Sequence, residues 1–301
     1  MGDPGISRSL RFTRPFDLVG TLAGVLQGPA SLTGRVVDGV VWRATRSPAG
    51  PCTVRLELSG QQLDATAWGD GAEAALDALP SLVGAHDDDD GFVPRHEAVA
   101  RAWDAHRGVR VPRSGAVTET LITSVLEQRV TAFEATRAQV QIVERYSERA
   151  PGPTDLWLPS DPEQVAGAAS YDLHLVGVEH DRADTVKRVA ASARRLDALS
   201  LLPPAEAHQR LRDVAGVGPW SAARVALVAL GDADAVPLGD PRLASDVTHA
   251  LTGRAVDADD AMLEALEPYE GHRGRVIRLL EAAGTHAPER PPRYAPDGPL
   301  R

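Results

Sequence analysis

The sequence predicts an α+β unit at the N-terminus, a small antiparallel sheet with helices, followed by an all-α domain. Three observations lead there. Strand-like alternation punctuated by Gly, Pro and Ser turns is concentrated before residue 92. Beyond it, apolar positions recur at helical spacing and strand signals nearly vanish. The acidic stretch "HDDDDG" at 86–91 separates the two regimes and reads as an exposed linker. The expected units are therefore 1–92, 93–286 and a proline-rich tail, 287–301.

Each element has its own warrant. "SLRFTRPF" alternates like a strand, and "FDLVGTLAGVLQ" has helical spacing with Asp17 as its cap. "GVVWRATRS", "CTVRLELSG" and "QQLDATAWG" are three further strands, and "GAEAALDALPSLVG" is a closing helix. The order β-α-β-β-β-α gives a small sheet with helices on one face. Helices are then predicted near 95–107, 115–130, 131–149, 161–172, 181–199, 204–213, 219–230, 241–252, 258–267 and 271–284, separated by short Gly/Pro/Asp turns.

Composition narrows the chemistry. The apolar fraction of 43% suits a packed core, and no apolar run reaches the length of a membrane span. The first residues lack the apolar core of a secretory leader, so the expected location is the cytoplasm. Cys52 stands alone, which excludes an internal disulfide and a cysteine-held metal cluster. The nine histidines show no ligand pair at helical spacing. No cofactor is expected to be required. A formal net charge of −10 argues at first against a nucleic-acid partner. The basic side chains, however, are arginines save Lys187, and arginine suits phosphate. Any such partner must be held by local patches and backbone donors.

"LRDVAGVGPWSAARVALVAL" supplies such donors. Gly216 and Gly218 lie between two helical stretches, and Pro219 fits the first turn of the second. Free backbone N–H groups at that helix N-terminus can hold one phosphate. The plainer alternative is a corner that only packs two helices. Twenty residues after Trp220 comes Asp240, between Gly239 and Pro241. On residue type alone, "GDP" before a helix reads as an N-cap. Asp232 and Asp234 read as turn residues, and Asp246 falls inside the next helix.

Hairpin, helix, Gly/Pro-containing loop and aspartate together resemble the helix–hairpin–helix DNA glycosylase superfamily. The nearest likeness is to the 3-methyladenine DNA glycosylase II, or alkylpurine, type. "ETLITSVLEQRVTAFEATR", "LVGVEHDRADTVKRVA" and "LEPYEGHRGRVIRLL" extend the likeness to nearly all of the chain except the tail. The resemblance implies an all-α helix–hairpin–helix glycosylase domain behind the α+β unit, and a monomer acting on damaged double-stranded DNA, with no membrane partner. Asp240 would be the catalytic carboxylate. It would stabilise the positive charge that builds on the sugar as the base leaves, and orient the attacking water. Gly216, Val217 and Gly218 would anchor the strand. Trp220 stands where bifunctional relatives carry a Schiff-base lysine, which implies a monofunctional enzyme.

The resemblance assigns further roles. Gln128 and Arg129 would enter the duplex, although the alkylpurine type often carries an apolar wedge at the Arg129 position. Their alternative is a solvated helix end paired with Glu127 or Glu134. Trp220 and Tyr269 would line the base pocket, against the alternative of core aromatics. The carbonyls of Arg212, Val214 and Val217 would hold a monovalent cation, sodium or potassium. Arg273, Arg275 and Arg278 could touch phosphate, with a solvated face as their default. Two functional readings stay beside the main one: a non-catalytic DNA-binding module using the same hairpin, and a glycosylase for oxidised or deaminated purines.

Overall fold

The computed structural model describes residues 4–288; the tail expected at 287–301 otherwise lies outside the described residues. The N-terminal unit runs β1 (Ile6–Arg11), α1 (Leu18–Leu22), β2 (Gly34–Val37), β3 (Val40–Ser47), β4 (Gly50–Ser59), β5 (Gln62–Trp68), α2 (Ala72–Asp77) and α3 (Leu79–Leu82). The five strands form one antiparallel sheet in the order β1-β5-β4-β3-β2. Asp17 caps α1 by accepting from the Gly20 amide at 2.8 Å. Strand β2 has no counterpart in the sequence reading. It is a four-residue edge strand, joined to β3 through Asp38 and Gly39 at φ 51° and 79°. An Asp-Gly pair between valines is a strong two-residue hairpin signal, and "VVDGVV" contained it.

The helical region follows the predicted segments closely. It comprises α4 (Glu97–Ala105), α5 (Val117–Leu126), α6 (Ala132–Tyr146), α7 (Pro162–Gly167), α8 (Ser170–Leu175), α9 (His180–Ala191), α10 (Ala193–Asp197), α11 (Pro204–Arg212), α12 (Pro219–Val225), α13 (Pro241–Thr252), α14 (Asp259–Leu266) and α15 (Arg273–Ala282). After α12 the backbone widens into a π turn, Ala226–Leu230, which ends at Gly231 in the left-handed region. The amides of Gly231 and Asp232 both reach the Ala226 carbonyl there.

One apolar core runs from the sheet into the helices. Leu22, Val54, Leu56, Leu63, Leu76 and Leu79 of the N-terminal unit belong to the same buried cluster as Leu121, Val186, Leu211 and Leu230. A second cluster packs α4 against α13, α14 and α15 through Val99, Val247, Met262, Leu266, Val276 and Ile277. The other face of β3 is covered at Trp42 and Ala44 by Ala150, Leu156 and Leu158.

The acidic stretch is exposed at His86, Asp88, Asp90 and Gly91, as its composition suggested, but Asp87 and Asp89 are tied to arginines. The Asp87 side chain is largely buried; it receives the Val111 amide at 2.9 Å and grips Arg275 of α15 through both oxygens at 2.8 Å. Arg275 also donates to the Asp88 carbonyl at 2.7 Å. A run of like charges is normally solvated; here a buried guanidinium gives one member a partner.

Candidate functional site

The site starts from the turn between α11 and α12. Gly216 sits at φ +90°, and a Cβ there would lie 2.3 Å from the Thr185 hydroxyl, so glycine is required by conformation and by space. Gly218 differs: its φ is −82°, and a Cβ there would meet nothing within 4 Å. The turn is braced from three sides. Val217 N–H donates to the Val214 carbonyl at 2.9 Å, Arg188 donates to the Ala215 carbonyl at 2.8 Å, and Gln128 donates to the Gly216 carbonyl at 3.3 Å and the Ser221 hydroxyl at 2.9 Å. The Gly216 and Gly218 amides donate to no acceptor among the described residues. Free donors at a helix N-terminus are what an anionic oxygen seeks.

Gln128 is thus tied to the hairpin by its side-chain amide, a link that spacing along one strand of sequence could not reveal. Arg129 beside it projects into solvent from a backbone at φ +57°, a conformation few non-glycine residues adopt. Neither it nor Gln128 pairs with Glu127 or Glu134. Glu127 instead accepts from Gln139 at 3.3 Å and faces Arg224 at 4.0 Å. That guanidinium lies 5.7 Å from the ring of Trp220, which is half-buried at the start of α12.

The apolar α12 and its π turn lead into a loop at 231–240. Asp232 turns the chain by accepting the Asp234 amide at 3.0 Å, and it also contacts His208 at 3.2 Å. Asp234 is spent on Arg273, taking its backbone amide at 3.1 Å, its Nε at 2.8 Å and its Nη2. Asp246 is taken by His286 at 3.0 Å and by the Ala287 amide at 2.8 Å. Of these acids, Asp240 alone leaves one carboxylate oxygen without a partner among the described residues. Oδ1 accepts from the Arg242 amide at 2.9 Å and the Leu243 amide at 3.2 Å, which caps α13. Oδ2 has no partner among the described residues, and the side chain is half-buried rather than sealed. The cap reading therefore accounts for one oxygen and leaves the other available.

Tyr269 is placed otherwise than a pocket wall would be. It is 3% exposed in the second core, its hydroxyl accepts the Arg95 and His96 amides at 3.1 and 3.0 Å, and it lies 2.7 Å from His96 Nδ1. Burial pushes its phenol above the ordinary value. The core alternative matches these surroundings. The solvated-face reading of the three late arginines fails. Arg273 holds Asp234, Arg275 holds Asp87, and the buried Arg278 donates to the Thr21 carbonyl at 2.9 Å and to the Gly20 and Arg110 carbonyls at 3.3 and 3.4 Å. Their partners are distant in sequence, and those of Arg278 are backbone carbonyls, so no local pattern announced them. Of the three carbonyls expected to hold a monovalent cation, Val214 already takes the Val217 amide, while those of Arg212 and Val217 receive no described donor. Neutral oxygens of this kind suit an alkali ion and not a transition metal.

No protein-family model matches the chain, and no curated protein matches it. Solved structures do. MBOgg1 in complex with a low-affinity DNA ligand superposes with a TM-score of 0.74 at 17% identity, covering 94% of this chain and 96% of that one. The 3-methyladenine DNA glycosylase of Archaeoglobus fulgidus gives 0.72 at 16% identity, covering 91% and 97%. The 8-oxoguanine glycosylase/lyase of Clostridium acetobutylicum, bound to DNA with cytosine opposite 8-oxoguanine, gives 0.70 at 14% identity, covering 94% and 98%. The five-stranded sheet, the helices behind it and the glycine hairpin thus place this chain in the fold of the helix–hairpin–helix DNA glycosylases.

Proposed function

We propose that the chain is a monofunctional DNA glycosylase that hydrolyses the N-glycosidic bond of a damaged, alkylated purine in duplex DNA, the opening step of base excision repair. The observation that carries this reading is the divided carboxylate of Asp240: one oxygen is fixed by two helix amides, and the other is open. Fixed in this way, the group needs no reorganisation as the sugar becomes cationic. The open oxygen faces the developing charge and aligns the water that attacks the anomeric carbon. A positively charged alkylpurine leaves readily, so a single acid suffices. The Gly216 and Gly218 amides hold a strand phosphate, and an alkali ion on the Arg212, Val214 and Val217 carbonyls would add positive charge beside it. Trp220 offers its ring to the extruded base. It has no amine, so the strand is left intact at an abasic site.

The test is base release from randomly methylated duplex DNA. Wild type should release alkylated purines and leave alkali-labile, uncut sites. Asp240→Asn should bind lesion DNA with little change and release nothing; full excision by that variant would remove Asp240 from the chemistry. A second reading, excision of an oxidised purine, is favoured by the likeness to the Clostridium 8-oxoguanine enzyme. Duplexes carrying alkylated, deaminated and oxidised bases separate the two. A protein that binds every duplex and releases no base is the non-catalytic module.

A further inference from the structure

The loop at 231–240 is anchored in stages. Its first half lies on the start of α15: the Arg275 amide donates to the Ala233 carbonyl at 2.9 Å, and Asp234 takes the Arg273 amide at 3.1 Å and its Nε at 2.8 Å. A Cβ on Gly274 would lie 2.6 Å from the Ala235 carbonyl oxygen, so loop and helix are in close contact there. Val236 and Leu238 then pack against the second core. Beyond them Gly239 is exposed and sits at φ +96°. Its amide donates to Asp259 Oδ1 at 3.1 Å, in the first turn of α14. Asp259 makes no other hydrogen bond or ion pair among the described residues.

The two neighbours of Asp240 differ in stiffness. Pro241 fixes its own φ and confines the residue before it to extended backbone. Asp240 lies there, at φ −109° and ψ 101°. Glycine is the freest of residues, so the joint on the other side turns easily unless something holds it. The cap bonds hold Oδ1 on α13. The course of the main chain that delivers Asp240 to that helix is set one residue earlier, where Asp259 holds the glycine. A misplacement of about 1 Å at a reacting group can cost about 100-fold in rate. We infer that Asp259 is a positioning residue: by holding the Gly239 amide it fixes the main chain that carries Asp240, and with it the direction of the open oxygen. This rests on the glycosylase reading and adds to it a second carboxylate, one that acts through Asp240 and not on the sugar.

A pair of substitutions separates the bond from the charge. Asp259→Asn and Asp259→Ala both remove the charge from the first turn of α14, so they share whatever stability that charge gives the helix. Asparagine keeps an oxygen that accepts the amide, and alanine does not. In single-turnover base release from methylated duplex, Asp259→Ala should be at least about tenfold slower than wild type, with an unchanged half-saturating DNA concentration. Asp259→Asn should stay within about twofold of wild type, because its carboxamide oxygen takes the same bond. Hydrogen exchange at Gly239 gives a readout that needs no substrate: it should quicken in Asp259→Ala and stay slow in Asp259→Asn. Base release by Asp259→Ala as fast as that of wild type would overturn the inference. So would an Asp259→Asn as slow as Asp259→Ala, since the charge and not the bond would then be decisive. If wild type releases neither alkylated nor oxidised base while the exchange pattern holds, it is the glycosylase reading that fails.

Discussion

On the proposed reading, Asp240 serves fold and chemistry with one side chain. As the N-cap of α13 it satisfies two amides that would otherwise be orphaned. Asparagine caps about as well as aspartate, whereas alanine gives up the cap at about 1 kcal/mol. Asp240→Asn should therefore unfold at the same denaturant concentration as wild type, and Asp240→Ala measurably earlier, while neither releases base. If Asp240→Asn loses stability and activity in parallel, its inactivity reflects a damaged loop rather than lost chemistry. Residue identity revealed the cap; the catalytic role comes from the resemblance and stands as a proposal. Identity did not reveal that the neighbouring acids were occupied, because Arg273 lies 39 positions from Asp234. Tyr269 was ambiguous for the same reason: its hydroxyl is satisfied by amides more than 170 positions away.

The hairpin is the element whose two glycines do different work. Gly216 is held by its left-handed backbone and by Thr185 beneath it; Gly218 has ordinary dihedrals and open space. Gly216→Ala should lower stability, by more than the ~1 kcal/mol of backbone strain alone. Gly218→Ala should melt normally and yet bind duplex DNA several-fold more weakly, because the added methyl would stand where the proposed reading brings a phosphate to the amides. Thermal melting and a salt titration of DNA affinity check both; a Gly218→Ala variant with unaltered affinity would locate the strand elsewhere. Most helices were legible because their apolar spacing is long and regular. The edge strand β2 was not, since four residues give no period and only its turn carries a signal.

At the scale of the molecule, a buried ion pair joins the sheet to the helices. Glu119 of α5 meets Arg43 of β3 at 3.3 Å and Thr45 at 3.2 Å, with both charged side chains largely buried. Removing one partner strands the other, which costs about 3–5 kcal/mol. Arg43→Met and Glu119→Leu should each destabilise by that order, and together by less than either alone, measured as a double-mutant cycle in urea. Burial raises the Glu119 carboxyl above its ordinary value, against the pull of Arg43. The folded protein then binds more protons than the unfolded chain across the interval between the two values. Stability from this group is greatest below about pH 4.3, the unfolded value, and falls as pH rises towards the folded one. Glu119→Gln should remove that slope. Composition could not foresee this pair, since a carboxylate at the start of a helix and an arginine in a strand each read as surface.

The widened turn at Ala226–Leu230 has its own corollary. It sits between the glycine hairpin and Asp240, so the two are geared through its phase. Excising a single residue of α12 ahead of it would swing everything downstream by about 100°, whereas excising one from the widened turn itself would let it close to a regular α-helix and nearly keep that phase. Both deletions shorten the distance in sequence from Trp220 to Asp240 by one, but only the first would turn the carboxylate away from the place that the proposed reading gives it.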